Sequence, residues 1–77
     1  MKNNIEEIEA EFMLALVDYS ACVDAEKEKY RKNLMEKWLA LDACDEYKGC
    51  MLMKTADIAR KIVEKHPEWG AIRKAYM

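Results

Sequence analysis

Residues 33–49, NLMEKWLALDACDEYKG, decide how the rest of this chain is read. Asn33 is a residue type that caps helix starts, and Glu36 three positions on supplies the reciprocal acceptor of a capping box. Leu34, Trp38, Leu41 and Asp45 follow at spacings of four, three and four, with Cys44 beside the last. That spacing draws one apolar stripe along a helix face, with Trp38 as its largest anchor. The stripe is expected to end near Gly49. Gly49 suits a left-handed position closing a helix at Lys48, or a close approach inside a continuing helix.

Outward toward the N-terminus lies 24–33, DAEKEKYRKN, in which only Ala25 and Tyr30 are apolar. Either the chain turns here, with Asp24 and Asn33 as the capping residues, or one helix runs from about Asn4 to Tyr47, since neither Gly nor Pro interrupts it. A helix that long needs a partner chain along its length. Further upstream, Asn4 followed by Glu7 repeats the capping pattern. Ile5, Ile8, Phe12, Ala15, Tyr19 and Cys22 then recur at three-four spacing, and Leu16 and Val23 widen the seam. Glu6, Glu7, Glu9, Glu11 and Asp18 are assigned to the remaining, solvated surface; Glu in a first turn also suits the helix dipole. The seam Ile5, Ile8, Phe12, Leu16 and Tyr19 is read as a surface for self-association.

Toward the C-terminus, Cys50, Met51, Leu52 and Met53 form a soft apolar knot. Thr55 is expected to cap the helix TADIARKIVEK, with Ile58 and Ile62 in one row and Ala59 and Val63 beside it. Pro67 disfavours a helical His66, so a break is expected there and a last short helix through Trp69, Ile72 and Tyr76. Together the pattern predicts an all-α fold: one small domain over residues 1–77, of three or four helices, dominated by a long N-terminal helix or helical hairpin.

Composition agrees. Apolar residues at 52% and charged ones at 36% exclude disorder and suit amphipathic helices. A chain of 77 residues has a thin core, which favours homo-oligomers. The net charge of −2 is unevenly spread. Residues 1–24 set Lys2 against Glu6, Glu7, Glu9, Glu11, Asp18 and Asp24, whereas in 54–77 Lys54, Arg60, Lys61, Lys65, Arg73 and Lys74 outweigh Asp57, Glu64 and Glu68. The two ends are expected to attract each other, within or between chains. Cys22, Cys44 and Cys50 have no chelating or disulfide-framework spacing, which points to a reducing cytoplasmic compartment. The acidic start MKNNIEEIEAE does not read as a signal segment, and the apolar run at 12–17 is too short to span a bilayer.

No catalytic residue is assigned, because His66 is the sole histidine and no nucleophile, phosphate-loop or dinucleotide motif accompanies it. Cys44, Cys50 and His66 lack a metal-ligand pattern, so neither metal nor cofactor is expected. Two clusters are candidates for binding. Trp69, Ile72, Arg73, Lys74 and Tyr76 combine aromatic and basic groups as protein-binding hot spots do. Lys27, Tyr30 and Arg31 could bind an anion or nucleotide by charge and stacking, although the interleaved Glu26 and Glu28 equally describe a solvated face.

Trp38 and Ala40 make W-x-A, and Gly49 and Met51 make G-x-M; in this the chain resembles the helical-hairpin segment of small phage anti-defence proteins that sequester cyclic-nucleotide alarm signals. The likeness covers residues 38–51, and Asp42, Ala43, Cys44 and Asp45 stand where that family's basic and hydroxyl residues would be expected, so no ligand-binding residue carries over. The resemblance implies a small stoichiometric binder, acting in the host cytoplasm if phage-encoded. The leading expectation is a non-catalytic regulatory or inhibitory protein that occupies a protein partner. Two alternatives stand beside it. One is a helical oligomer that sequesters a cyclic nucleotide. The other is a small helix-turn-helix-like DNA-binding regulator, for which the C-terminal excess of positive charge is modest and the turn lacks a Gly; nucleic acid is accordingly not the expected partner.

Overall fold

The computed structural model describes residues 4–71. About 85% of them are helical and none is in a strand. Three α-helices carry the fold: α1 (Ile5–Ala21), α2 (Lys27–Asp42) and α3 (Thr55–Lys65), with one 3-10 turn between the first two and two between the second and third. Gly70 and Ala71 are again helical where the description ends. None of these helices is long and apolar enough to cross a membrane.

α1 starts as its sequence dictates. The Asn4 side chain accepts from the backbone N–H groups of Glu6 at 3.1 Å and Glu7 at 3.4 Å, satisfying donors that have no partner inside the helix. At Cys22 and Val23 the backbone is extended, and Asp24–Glu26 forms a 3-10 turn that reverses the chain. α1 and α2 therefore form a hairpin. The break comes at the front of the 24–33 stretch; Lys27 to Asn33 are the first turns of α2. Asn33 is mid-helix, not a cap. Its neighbours are good helix formers, and continuing the helix carries Leu34 into the core.

α2 ends at Asp42, earlier than the stripe predicts. Asp42 Oδ1 accepts from the N–H groups of Gly49 at 2.8 Å and Met51 at 3.3 Å, drawing the chain back on the helix end. Trp38 Nε1 donates to the Cys50 carbonyl at 3.0 Å and holds the same loop from the other side. Gly49 has φ +88°, the left-handed conformation that glycine adopts without a Cβ penalty. It does so between two 3-10 turns, Asp45–Tyr47 and Cys50–Leu52, and not at the end of an α-helix. Asp45 is exposed accordingly.

α3 starts one residue earlier than capping chemistry suggests. Lys54 occupies the cap position, and Thr55 is the first helical residue. At the other end the expected break occurs, with His66 non-helical and Pro67 opening the 3-10 turn Pro67–Trp69. The core lies between the hairpin and α3. Phe12, Met13, Ala15 and Leu16 from α1 meet Leu34 and Leu41 from α2, Tyr47 and Cys50 from the loop, and Ile58, Ala59 and Ile62 from α3. Phe12 and the half-buried Trp38 meet edge to face at 6.1 Å.

The seam assigned to self-association thus packs within one chain. Phe12 and Leu16 are buried, and Ile5, Ile8 and Tyr19 pack partly buried against the same core. The reason is the turn at Cys22–Glu26, which folds α2 onto the face a straight helix would have offered to a second copy.

Candidate functional site

One charged side chain is wholly removed from solvent. Glu9, placed by its sequence neighbourhood on the solvated side of α1, is 0% exposed. Burial alone would expel such a charge, so its partners explain its presence. Its Oε1 accepts from His66 Nε2 at 2.7 Å. Its Oε2 accepts from Lys65 Nζ at 2.8 Å and from the Tyr47 hydroxyl. Lys65 Nζ also donates to Glu46 Oε1 at 2.5 Å. The cluster ties three segments together: the second turn of α1, the Asp45–Tyr47 turn and the end of α3.

Each segment delivers its group for a local reason. α1 presents Glu9 one turn before Met13 on the inward side. The early end of α2 lets the chain turn so that Tyr47 is buried against α1. Pro67 stops α3 at Lys65, and His66 then leaves the helix axis toward Glu9. Trp69, on the turn that Pro67 opens, stacks on the His66 ring with centroids 4.1 Å apart and planes 23° apart. Lys61 and Lys65 lie over the Tyr47 ring at 5.7 and 5.5 Å.

The electrostatics are those of a satisfied anion. Desolvation works to raise the Glu9 pKa, but the hydrogen bonds from Lys65, Tyr47 and His66 outweigh it and hold the carboxyl below its ordinary value. Tyr47 is pushed far upward by burial and by donating to Glu9, so its hydroxyl stays protonated. Lys65 is raised by its bonds to Glu46 and Glu9. A carboxylate with three donors already in place is a poor general base, and a phenol this far from ionising is a poor nucleophile. The thiols are similar in kind. Burial pushes Cys44 and Cys50 upward, and their Sγ atoms turn to backbone carbonyls of Ala40 and Trp38 rather than to His66. All three cysteines are free.

Beyond the buried cluster, His66 Nδ1 is 3.8 Å from Glu68 Oε2. Among the described residues Glu6, His66 and Glu68 bring one ligand atom each within 4.8 Å of one another. Sequence reading does not find this group, because Glu6 is about 60 residues from its companions.

Of the residues nominated from sequence, Trp69 is half-buried on His66, while Ile72, Arg73, Lys74 and Tyr76 lie outside the described residues. The same limit cuts the helix-turn-helix reading, because the expected last helix through Trp69, Ile72 and Tyr76 lies partly outside the described residues. The trio Lys27, Tyr30 and Arg31 does not converge. Arg31 Nη2 donates to both Glu28 oxygens at 3.0 and 2.9 Å, Lys27 Nζ sits over Tyr19, and the cation over Tyr30 is Lys29. A cleft of about 310 Å³ beside Tyr30 is walled by Asp18 and Glu26, with Ala21, Cys22 and Val23. Its charge is opposite to what an anion needs.

Apolar side chains also remain outside the core. Met35 and Leu39, one turn apart on α2, are 38% and 56% exposed. Met35 borders a shallow cleft of about 400 Å³ with Glu28, Arg31, Lys32 and Glu36. Leu52, 94% exposed, stands on the turn that Trp38 holds against the same helix. No protein-family model, curated protein or solved structure matches the chain.

Proposed function

We propose that this is a non-catalytic binding protein of regulatory or inhibitory type, which acts by occupying a protein partner through the outer face of α2. The observation that carries this reading is the exposed row Met35 and Leu39, set among the charges of Glu28, Arg31, Lys32 and Glu36. Single exposed apolar residues are ordinary; two on one helical row with a polar surround have the layout of an interface centre and rim. Two features add support. The hairpin beneath the row is internally packed, so the face is presented on a rigid element. The most conspicuous polar cluster, around Glu9, is saturated by its own partners and is suited to holding the fold rather than to turning over a substrate.

The test compares Leu39→Lys with Leu34→Ala in partner capture from the cells in which the chain acts. Leu39→Lys should melt like the parent protein and lose the captured partner. Leu34→Ala removes a buried side chain and should lower the melting temperature, with loss of about 2–5 kcal/mol. Capture unchanged by Leu39→Lys refutes the assignment of this face.

A further inference from the structure

We propose that Glu6, His66 and Glu68 form a binding site for a divalent transition-metal ion of the zinc type, braced from behind by Glu9. The argument starts with the imidazole. Glu9 is buried and accepts from His66 Nε2, so a neutral ring here carries its proton on Nε2 and its lone pair on Nδ1. Stacking on Trp69 at 4.1 Å keeps the ring from turning. Glu68 Oε2 stands 3.8 Å from Nδ1, and the Glu6 carboxylate joins the His66 ring and Glu68 in a trio whose ligand atoms lie within 4.8 Å of one another. Around a neutral imidazole these are three acceptors, which repel one another unless a cation lies between them. Among the described residues no lysine or arginine forms an ion pair with Glu6 or Glu68.

A buried carboxylate taking the far N–H of a histidine is the usual support behind a metal-bound imidazole, because it fixes the tautomer and strengthens the donor. One nitrogen and two carboxylate oxygens suit a borderline ion such as Zn²⁺, with a fourth position left for water or a group from a partner. Zinc bonds of about 2.0–2.2 Å require the ligand atoms to close in by roughly 1 Å. Both glutamates have room to do so, since Glu6 is exposed and the Glu68 side chain is 64% exposed. Bound metal would clamp the first turn of α1 to the turn after α3. This site is independent of the α2 face and of what that face binds.

The experiment titrates ZnCl₂ into metal-stripped protein near neutral pH, by calorimetry and by nitrogen NMR of the single histidine. The expected result is one ion per chain at micromolar affinity, with zinc on Nδ1 and the Nε2 proton retained. The double variant Glu6→Gln, Glu68→Gln should melt like the parent in the absence of zinc and bind at least about tenfold more weakly. Equal affinity in the double variant would overturn the site. So would zinc on Nε2, or an imidazole protonated on both nitrogens that does not respond to zinc. Absence of saturable heat at high-micromolar zinc likewise ends the proposal.

Discussion

Replacing Glu9 tests the internal logic of the fold most directly. In Glu9→Gln the amide keeps the shape but offers a single acceptor oxygen. That oxygen is best placed toward Tyr47 and Lys65, which leaves the amide NH₂ against His66 Nε2; the ring can answer by moving its proton to Nδ1. The remaining loss is the charge opposite Lys65, which is 38% exposed in its side chain and keeps Glu46. The cost should therefore fall below the 3–5 kcal/mol of a fully buried broken pair, at about 2–3 kcal/mol. Glu9→Leu leaves the Tyr47 hydroxyl and His66 Nε2 without their acceptor and Lys65 with Glu46 alone, and should cost more than the amide, about 3–5 kcal/mol. Glu11→Gln removes a partner of Lys37 at 3.6 Å on the surface and should change stability by less than about 0.5 kcal/mol. A domain of this length has roughly 4–12 kcal/mol in all, and each kcal/mol moves its midpoint by about 4–8 °C. Thermal and urea unfolding followed by circular dichroism at neutral pH, with chelator present, gives the ranking. If Glu9→Leu were as stable as the parent, the buried cluster would not be what positions α3, and the reasoning would fail.

Three further outcomes follow from the same contacts. Because the Glu9 carboxyl is held below its ordinary 4.5, its contribution is present above that value and lost as pH falls through the folded one; Glu9→Gln should therefore flatten the acid limb of stability against pH. Asp42→Ala frees the N–H groups of Gly49 and Met51 and should cost about 1–2 kcal/mol in urea unfolding, a neutral result excluding Asp42 as the anchor of the loop. Trp69→Ala removes the ring stacked on His66 and should lower the midpoint by several degrees, about 1 kcal/mol; an unchanged midpoint with loss of a captured partner would mark Trp69 as a binding residue instead.

Much of the architecture is written in local spacing. Asn4 caps α1, Pro67 ends α3 at Lys65, and Ile58 and Ile62 face inward, each decided by residues within a turn or two. The misreadings have a common physical origin in tertiary contacts. Asn33 has the chemistry of a cap, but a cap is useful only where a helix must begin, and the reversal at Cys22–Glu26 had already started α2. The stripe from Leu34 onward is real as far as Leu41. Beyond it, the geometry is set by Asp42 reaching forward seven and nine residues to Gly49 and Met51, a contact no periodicity encodes.

Glu9 shows where the boundary falls between what a sequence displays and what only the fold can complete. At about 100° per residue, Glu9 lies on the α1 wheel between Leu16 and Met13, inside the arc those buried residues define. The assignment of Glu9 to the solvated surface followed the general rule that glutamate is exposed and passed over that angular position. Its partners could not be found the same way, since Tyr47, Lys65 and His66 are 38 to 57 positions distant and come from two other segments. A carboxylate at an inward position implies that donors exist somewhere in the chain, because an unpaired buried charge would destabilise a domain this small beyond recovery. With one histidine and four tyrosines in the chain, the set from which such donors could be drawn was already short. The Glu6, His66 and Glu68 group depends on that choice. Because Glu9 accepts the hydrogen bond from Nε2, a neutral His66 keeps its lone pair on Nδ1 beside Glu68, so the residue that holds the helices together also braces the proposed cation site.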